Sequence, residues 1–96
     1  MLIINKIKML PFKKKYYCPC CGYDTLRSKP PGTFEICEIC FWEDDNIQYE
    51  DPKYKGGANK ISLLNARSNF ELFGAMSKEF IPQTREPKES DTRLKR

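Results

Sequence analysis

From Ser62 to Gly74 the apolar residues Leu63, Ala66, Phe70 and Phe73 recur at steps of three and four, which lays one stripe along a helix. Ser62 supplies an N-cap oxygen and Gly74 a left-handed C-cap, so the pattern predicts an amphipathic helix over residues 62–73. Asn65, Arg67, Ser68, Asn69 and Glu71 fall on its solvated side. Upstream the period changes to two. In GYDTLR, Tyr23, Thr25 and Arg27 share one face and Asp24 and Leu26 the other, while TFEI places aromatic and β-branched residues just before Cys37. Between them lies KPPG, whose Pro31 and Gly32 suit the central positions of a type II turn. The two segments therefore read as a β-hairpin. The expected fold is small α+β: a hairpin over residues 16–42 with one C-terminal amphipathic helix packed on it, and Trp42, Tyr49 and Tyr54 enlarging the shared core.

The apolar pattern at the N-terminus is short and broken by Asn5, Lys6 and Lys8, with no small-residue cleavage site after it. Nothing elsewhere approaches the roughly 18 uninterrupted apolar residues of a membrane span. The expectation is a cytoplasmic protein without a membrane role, in a compartment where thiols stay reduced.

Redox state matters because a chain of 96 residues buries a marginal core unless something staples it. The chain has five cysteines and no histidine. Cys18 and Cys21 form one CxxC pair and Cys37 and Cys40 a second, separated by 15 residues. That is the two-pair zinc arrangement. A two-residue gap lets one tight turn present both sulfurs to the same ion, and Zn²⁺ takes four thiolates at about 2.3 Å. Pro19 fixes φ after the first ligand, and Gly22 permits the left-handed conformation that aims backbone N–H groups at sulfur. Cys18, Cys21, Cys37 and Cys40 are thus the expected Zn²⁺ ligands, in a zinc ribbon with two knuckles on the hairpin. Cys20 stands at the free position of CPCCG, either as a small packed residue or as a reactive thiol.

Charge is unevenly distributed along the chain. The total is +4, but residues 1–15 carry +5, residues 16–51 carry −6, residues 52–83 carry +3 and residues 84–96 carry +2. A Zn²⁺ held by four thiolates adds −2 to the acidic middle. This counts against nucleic-acid binding by the ribbon itself, which calls for a basic face along the phosphates. The chain divides into a basic N-terminal extension (1–15), a ribbon domain (16–83) and a polar tail of mixed sign (84–96) that is expected to be disordered.

Two further strings carry candidate chemistry. Trp42, Glu43, Asp44 and Asp45 read as a solvated turn or helix cap, or as an acidic partner-binding face. Their spacing does not match a calcium loop, which alternates its ligands and turns on a central glycine. Gly56 and Gly57 stand ahead of the helix, but GGANKIS lacks the spacing of a phosphate-binding loop and reads as a chain reversal.

The strings CPCCGY, PPGTFEICEICFWEDD, Glu50-Asp51-Pro52 and GGANKISLLNARSNFELFGA, in that order and spacing, resemble the bacterial cysteine-rich CPCC family. The resemblance spans residues 17–80 and implies a bound zinc and the limits of the domain more than an activity. It also implies a shared structural or recognition role for Trp42, Glu43, Asp44 and Asp45 and for Gly56, Gly57, Ala58 and Asn59.

Three function classes follow. The first is an interaction module docking a protein through its acidic face, an immunity or antitoxin-type inhibitor being the most concrete version. The second is a nucleic-acid-binding or transcription accessory ribbon using its basic segments. An enzyme comes last and is not expected, since the sequence offers no histidine, no nucleophile–base pair and no open position among four thiolates.

Overall fold

The computed structural model describes residues 14–94. Of the basic extension, only Lys14 and Lys15 fall among them. Helix α1, Asn46–Glu50, begins where the Asp45 carboxylate accepts hydrogen bonds from the Ile47 and Gln48 amides at 2.7 and 3.2 Å. Helix α2, Leu63–Phe73, starts where Ser62 Oγ accepts from the Asn65 amide at 3.1 Å. It ends at Gly74, whose φ of 77° lets its N–H reach Phe70 O. Leu63, Ala66 and Phe70 are buried, while Phe73 at the end of the stripe is 37% exposed. A 3₁₀ helix, Lys78–Gln83, follows and packs against α2.

The expected hairpin does not form. Among the described residues, β pairing is limited to the single bridges Tyr16–Leu26, Ile36–Glu43 and Tyr23–Arg93. The two segments predicted to pair with each other turn elsewhere: Leu26 pairs across the first cysteine turn with Tyr16, and Ile36 across the second with Glu43. Two features stop a ladder between them. Pro30 and Pro31 offer no N–H, and Phe34 sits at φ 58°, outside the extended region. The fold is therefore two cysteine knuckles, each closed by its own bridge, with short helices around them, and not a β-hairpin zinc ribbon.

The core is the knuckles themselves. Cys18, Cys20, Cys21, Cys37, Ile39, Cys40 and Trp42 meet Leu63, Ala66 and Phe70 of α2, together with Met76. Tyr49 and Tyr54, expected inside, are more than two-fifths exposed.

Residues 84–94, expected as a disordered tail, hold defined positions. Arg85 donates from its backbone to Glu38 O and from its side chain to Glu38 and Asp91. Further on, the Asp24 amide donates to Thr92 O and the Leu94 amide to Gly22 O. Arg93 Nε donates to Cys21 O at 2.8 Å while its guanidinium covers the rings of Tyr23 and Phe70. Backbone pairing and two arginines hold the segment, and neither leaves a hydrophobic period in sequence.

Candidate metal centre

The two knuckles repeat one backbone pattern. Cys18 N–H donates to Tyr23 O and Gly22 N–H to Cys18 O; likewise Cys37 N–H donates to Trp42 O and Phe41 N–H to Cys37 O. Both turns need a left-handed residue four positions after the first ligand, supplied by Gly22 at φ 82° and by Phe41 at φ 72°. The folded turns aim amides at sulfur: Cys20 N–H at Cys18 Sγ (3.4 Å), and Ile39 and Cys40 N–H at Cys37 Sγ (3.3 and 3.5 Å). Thr25 Oγ1 donates a further hydrogen bond to Cys37 Sγ at 3.0 Å.

These turns bring Cys18, Cys21, Cys37 and Cys40 together with all four Sγ atoms within 4.8 Å of one another, every one of the residues buried. The Cys18–Cys40 and Cys21–Cys37 sulfur separations are both 3.6 Å. A tetrahedron of sulfurs at 2.3 Å from zinc has edges of about 3.8 Å, whereas a disulfide would bring the atoms to about 2.0 Å. All five cysteines are free thiols. The donor set thus fits one tetrahedral, thiophilic ion. Burial pushes the Cys18 and Cys40 thiols up, while hydrogen bonds from Cys18, Cys21 and Cys40, with Thr25 behind them, pull Cys37 down. A divalent ion held by Cys18, Cys21, Cys37 and Cys40 would stabilise all four sulfurs as thiolates.

Around this quartet, Arg67 Nε donates to Pro19 O at 2.9 Å and Arg93 Nε to Cys21 O at 2.8 Å. Each brings a guanidinium to a knuckle carbonyl. Met76 N–H caps Cys40 O, tying the second knuckle to the loop after α2.

The remaining candidates lie inside the fold. Cys20 is 1% exposed, in the core beside the quartet but not part of it. Trp42 is buried to the same degree. Asp44 is fully buried: its Oδ2 accepts from Thr33 N–H and Oγ1 at 2.9 and 2.8 Å, and its Oδ1 has no partner among the described residues. Asp45 caps α1 and also accepts from the Ala58 amide at 2.7 Å. Burial works against its charge, but the amides of Ala58, Gln48 and Ile47 outweigh that and hold its pKa below the ordinary value. Only Glu43 of the four is partly exposed, and its backbone N–H and C=O are both bound by the Asn59 side chain. The four residues do not form an acidic face.

Sequence reasoning missed Gln48, the hub of this region. Its Nε2 donates to Tyr54 O, Asn59 O and Ile61 O, and its Oε1 accepts from the Asn59 amide and Nδ2. Gln48 is fully buried on a five-residue helix that hydrophobic periodicity cannot flag. Gly57 follows from the same packing, because a Cβ there would stand 2.6 Å from Asp45 Oδ2 and 3.0 Å from Gln48 Cγ. The loop after Gly57 is no phosphate site: the Ala58 amide is already taken by a carboxylate.

Among the described residues, no helix is long and apolar enough to cross a membrane. A search of curated proteins finds no match to the chain. The family model described as cysteine-rich CPCC matches residues 16–91, which takes in both knuckles, the Gln48–Asn59 network, α2 and most of the C-terminal segment. The chain belongs to the cysteine-rich CPCC family.

Proposed function

We propose that this protein is a zinc-stapled, non-catalytic binding module whose metal is structural and whose work is to present a surface to a macromolecular partner. The observation that carries this reading is the buried four-sulfur quartet. Four protein thiolates fill a tetrahedral Zn²⁺, whereas catalytic zinc keeps one position for water or substrate. The chain has no histidine to serve as a general base at neutral pH. Reduced, metal-bound thiols suit a reducing compartment such as the cytoplasm.

Docking through Trp42, Glu43, Asp44 and Asp45 loses its surface, since three of these side chains are buried. An immunity or antitoxin-type role based on that face loses its support with it. The residues serve the module instead by fixing α1 and the turn at Thr33.

The test is metal analysis of protein purified without added metal, followed by chelation while the signal of buried Trp42 is recorded. One zinc per chain and loss of the Trp42 environment on chelation are expected. A chain that keeps its fold with the metal removed would overturn the structural assignment.

A further inference from the structure

The sequence presents its middle as acidic, but folding rearranges that charge. Glu38 is paired with Arg85, Asp44 and Asp45 are buried, and Glu35, Glu43, Glu50 and Asp51 line neither of the two clefts described next. Basic residues from three separate segments meet on one surface instead. Lys14 and Lys15, Lys29 and Arg67 line a cavity of about 530 Å³ together with Tyr16, Tyr17 and Tyr49, and among the described residues no carboxylate lines it. Cys18 and Pro19 of the first knuckle also line it. Arg67 Nε is anchored on Pro19 O, which fixes its guanidinium at the cavity wall. A second cleft of about 510 Å³ shares Lys14, Lys15 and Tyr16 and continues along Thr25, Leu26, Arg27 and Ser90. Its one acid, Asp24, already accepts from the Thr92 amide at 2.8 Å.

We propose that these two clefts, which share Lys14, Lys15 and Tyr16, form a binding track for single-stranded nucleic acid. The chemistry is specific in two respects. Lys14, Lys15, Arg27, Lys29 and Arg67 line the two clefts against Asp24 as the one carboxylate among the described lining residues, a balance that suits a phosphate backbone, and the tyrosines beside them offer platforms on which unpaired bases stack. An acidic peptide would use the cations but not the rings. Two clefts with Lys14, Lys15 and Tyr16 in common offer more sites than one mononucleotide would use. The proposal rests on the module reading above, because Cys18 and Pro19 of the first knuckle, which the metal holds, line the track.

The test is fluorescence anisotropy of a labelled oligouridylate of about 12 nucleotides, a length within the range one small domain engages, at about 50 mM salt and above. The zinc-loaded full chain is compared with the Lys14→Glu, Lys29→Glu double variant and with Lys53→Glu, Lys55→Glu, which makes the same charge change at exposed positions outside either cleft. The cleft pair is expected to weaken binding at least tenfold more than the control pair and to lower the salt slope by about 1.4, at roughly 0.7 for each phosphate no longer neutralised. Tyr49→Ala is expected to cost about tenfold with the salt slope unchanged. Absence of binding by the parent chain, equal losses from the two charge pairs, no effect of Tyr49→Ala, or equal competition by polyglutamate would each overturn the proposal. Zinc content is measured on every variant. Full zinc without oligonucleotide binding sinks the track and leaves the module intact, whereas a parent chain that folds without zinc sinks the module reading itself.

Discussion

Gly22 and Phe41 occupy corresponding positions of the two knuckles, each four residues after the first cysteine and each left-handed, at φ 82° and 72°. Glycine takes that conformation without strain, while a residue with a Cβ gives up about 1–2 kcal/mol. Phenylalanine is held there by packing: its ring lies 4.8 Å from that of Phe80 and against the cysteine core.

The pair predicts an inverted substitution order. Gly22→Ala should destabilise the zinc-loaded protein by about 1–2 kcal/mol. At position 41 both truncations lose the ring, but Phe41→Gly should be the more stable of the two, by about 1 kcal/mol over Phe41→Ala, because only glycine also relieves the backbone. Urea midpoints at fixed zinc measure this. The ordinary order, alanine above glycine, would show that strain at Phe41 is negligible.

Gln48 should tolerate no isosteric change. Gln48→Glu replaces the donor facing three carbonyls with an acceptor, and Gln48→Leu leaves those carbonyls and the Asn59 donors unsatisfied. Each should cost about 3 kcal/mol or more in thermal or urea unfolding. A loss below about 1 kcal/mol would mean that water replaces the network freely.

Asp45 gives a pH signature of known sign. Its folded pKa lies below the unfolded value of about 3.9, so its contribution is complete above that value and disappears as pH falls through the folded one. Asp45→Ala should therefore be less stable by about 1–2 kcal/mol at neutral pH, with the gap closing in acid. Running both proteins through one pH series at equal zinc separates this from acid release of the metal, which both share. A gap independent of pH would assign the effect to packing alone.

Arg93 tests the C-terminal strap. Arg93→Ala removes the bonds to Cys21 O and Glu71 and the cover over Tyr23 and Phe70. Hydrogen exchange should quicken at the Asp24 and Leu94 amides while the amides of α2 stay protected. Unchanged exchange would mean that the Thr92 and Leu94 backbone bonds hold the strap by themselves.

What was legible in the sequence was what local spacing encodes. Cys18, Cys21, Cys37 and Cys40 meet because each CxxC closes within its own turn, and Ser62 and Gly74 bracket α2 because capping is local chemistry. The pairing of the two extended segments is not legible, because alternation in GYDTLR and TFEI says that a segment is extended without saying what it pairs with. Phe34 at positive φ, which breaks the second segment, carries no sequence mark. In the WEDD string a helix cap is legible and Asp45 is one, but three carboxylates in a row also read as solvated or partner-facing, and only the fold supplies the amides of Thr33, Ile47, Gln48 and Ala58 that bury two of them. The basic clefts were hidden for the same reason: Lys14, Lys29 and Arg67 lie in blocks whose summed charge says nothing of their neighbours in space.

The most direct test of the central claim is a Co²⁺ titration of the parent chain beside Cys20→Ser and Cys37→Ser, followed by the visible bands of tetrahedral cobalt thiolate. The prediction is one Co²⁺ per chain with equal band intensity in the parent and Cys20→Ser, and a weakened, lower-affinity spectrum in Cys37→Ser. A Cys20→Ser protein that loses the tetrahedral thiolate spectrum, or a Cys37→Ser protein that keeps it, would contradict the assignment of Cys18, Cys21, Cys37 and Cys40 as the metal's four ligands.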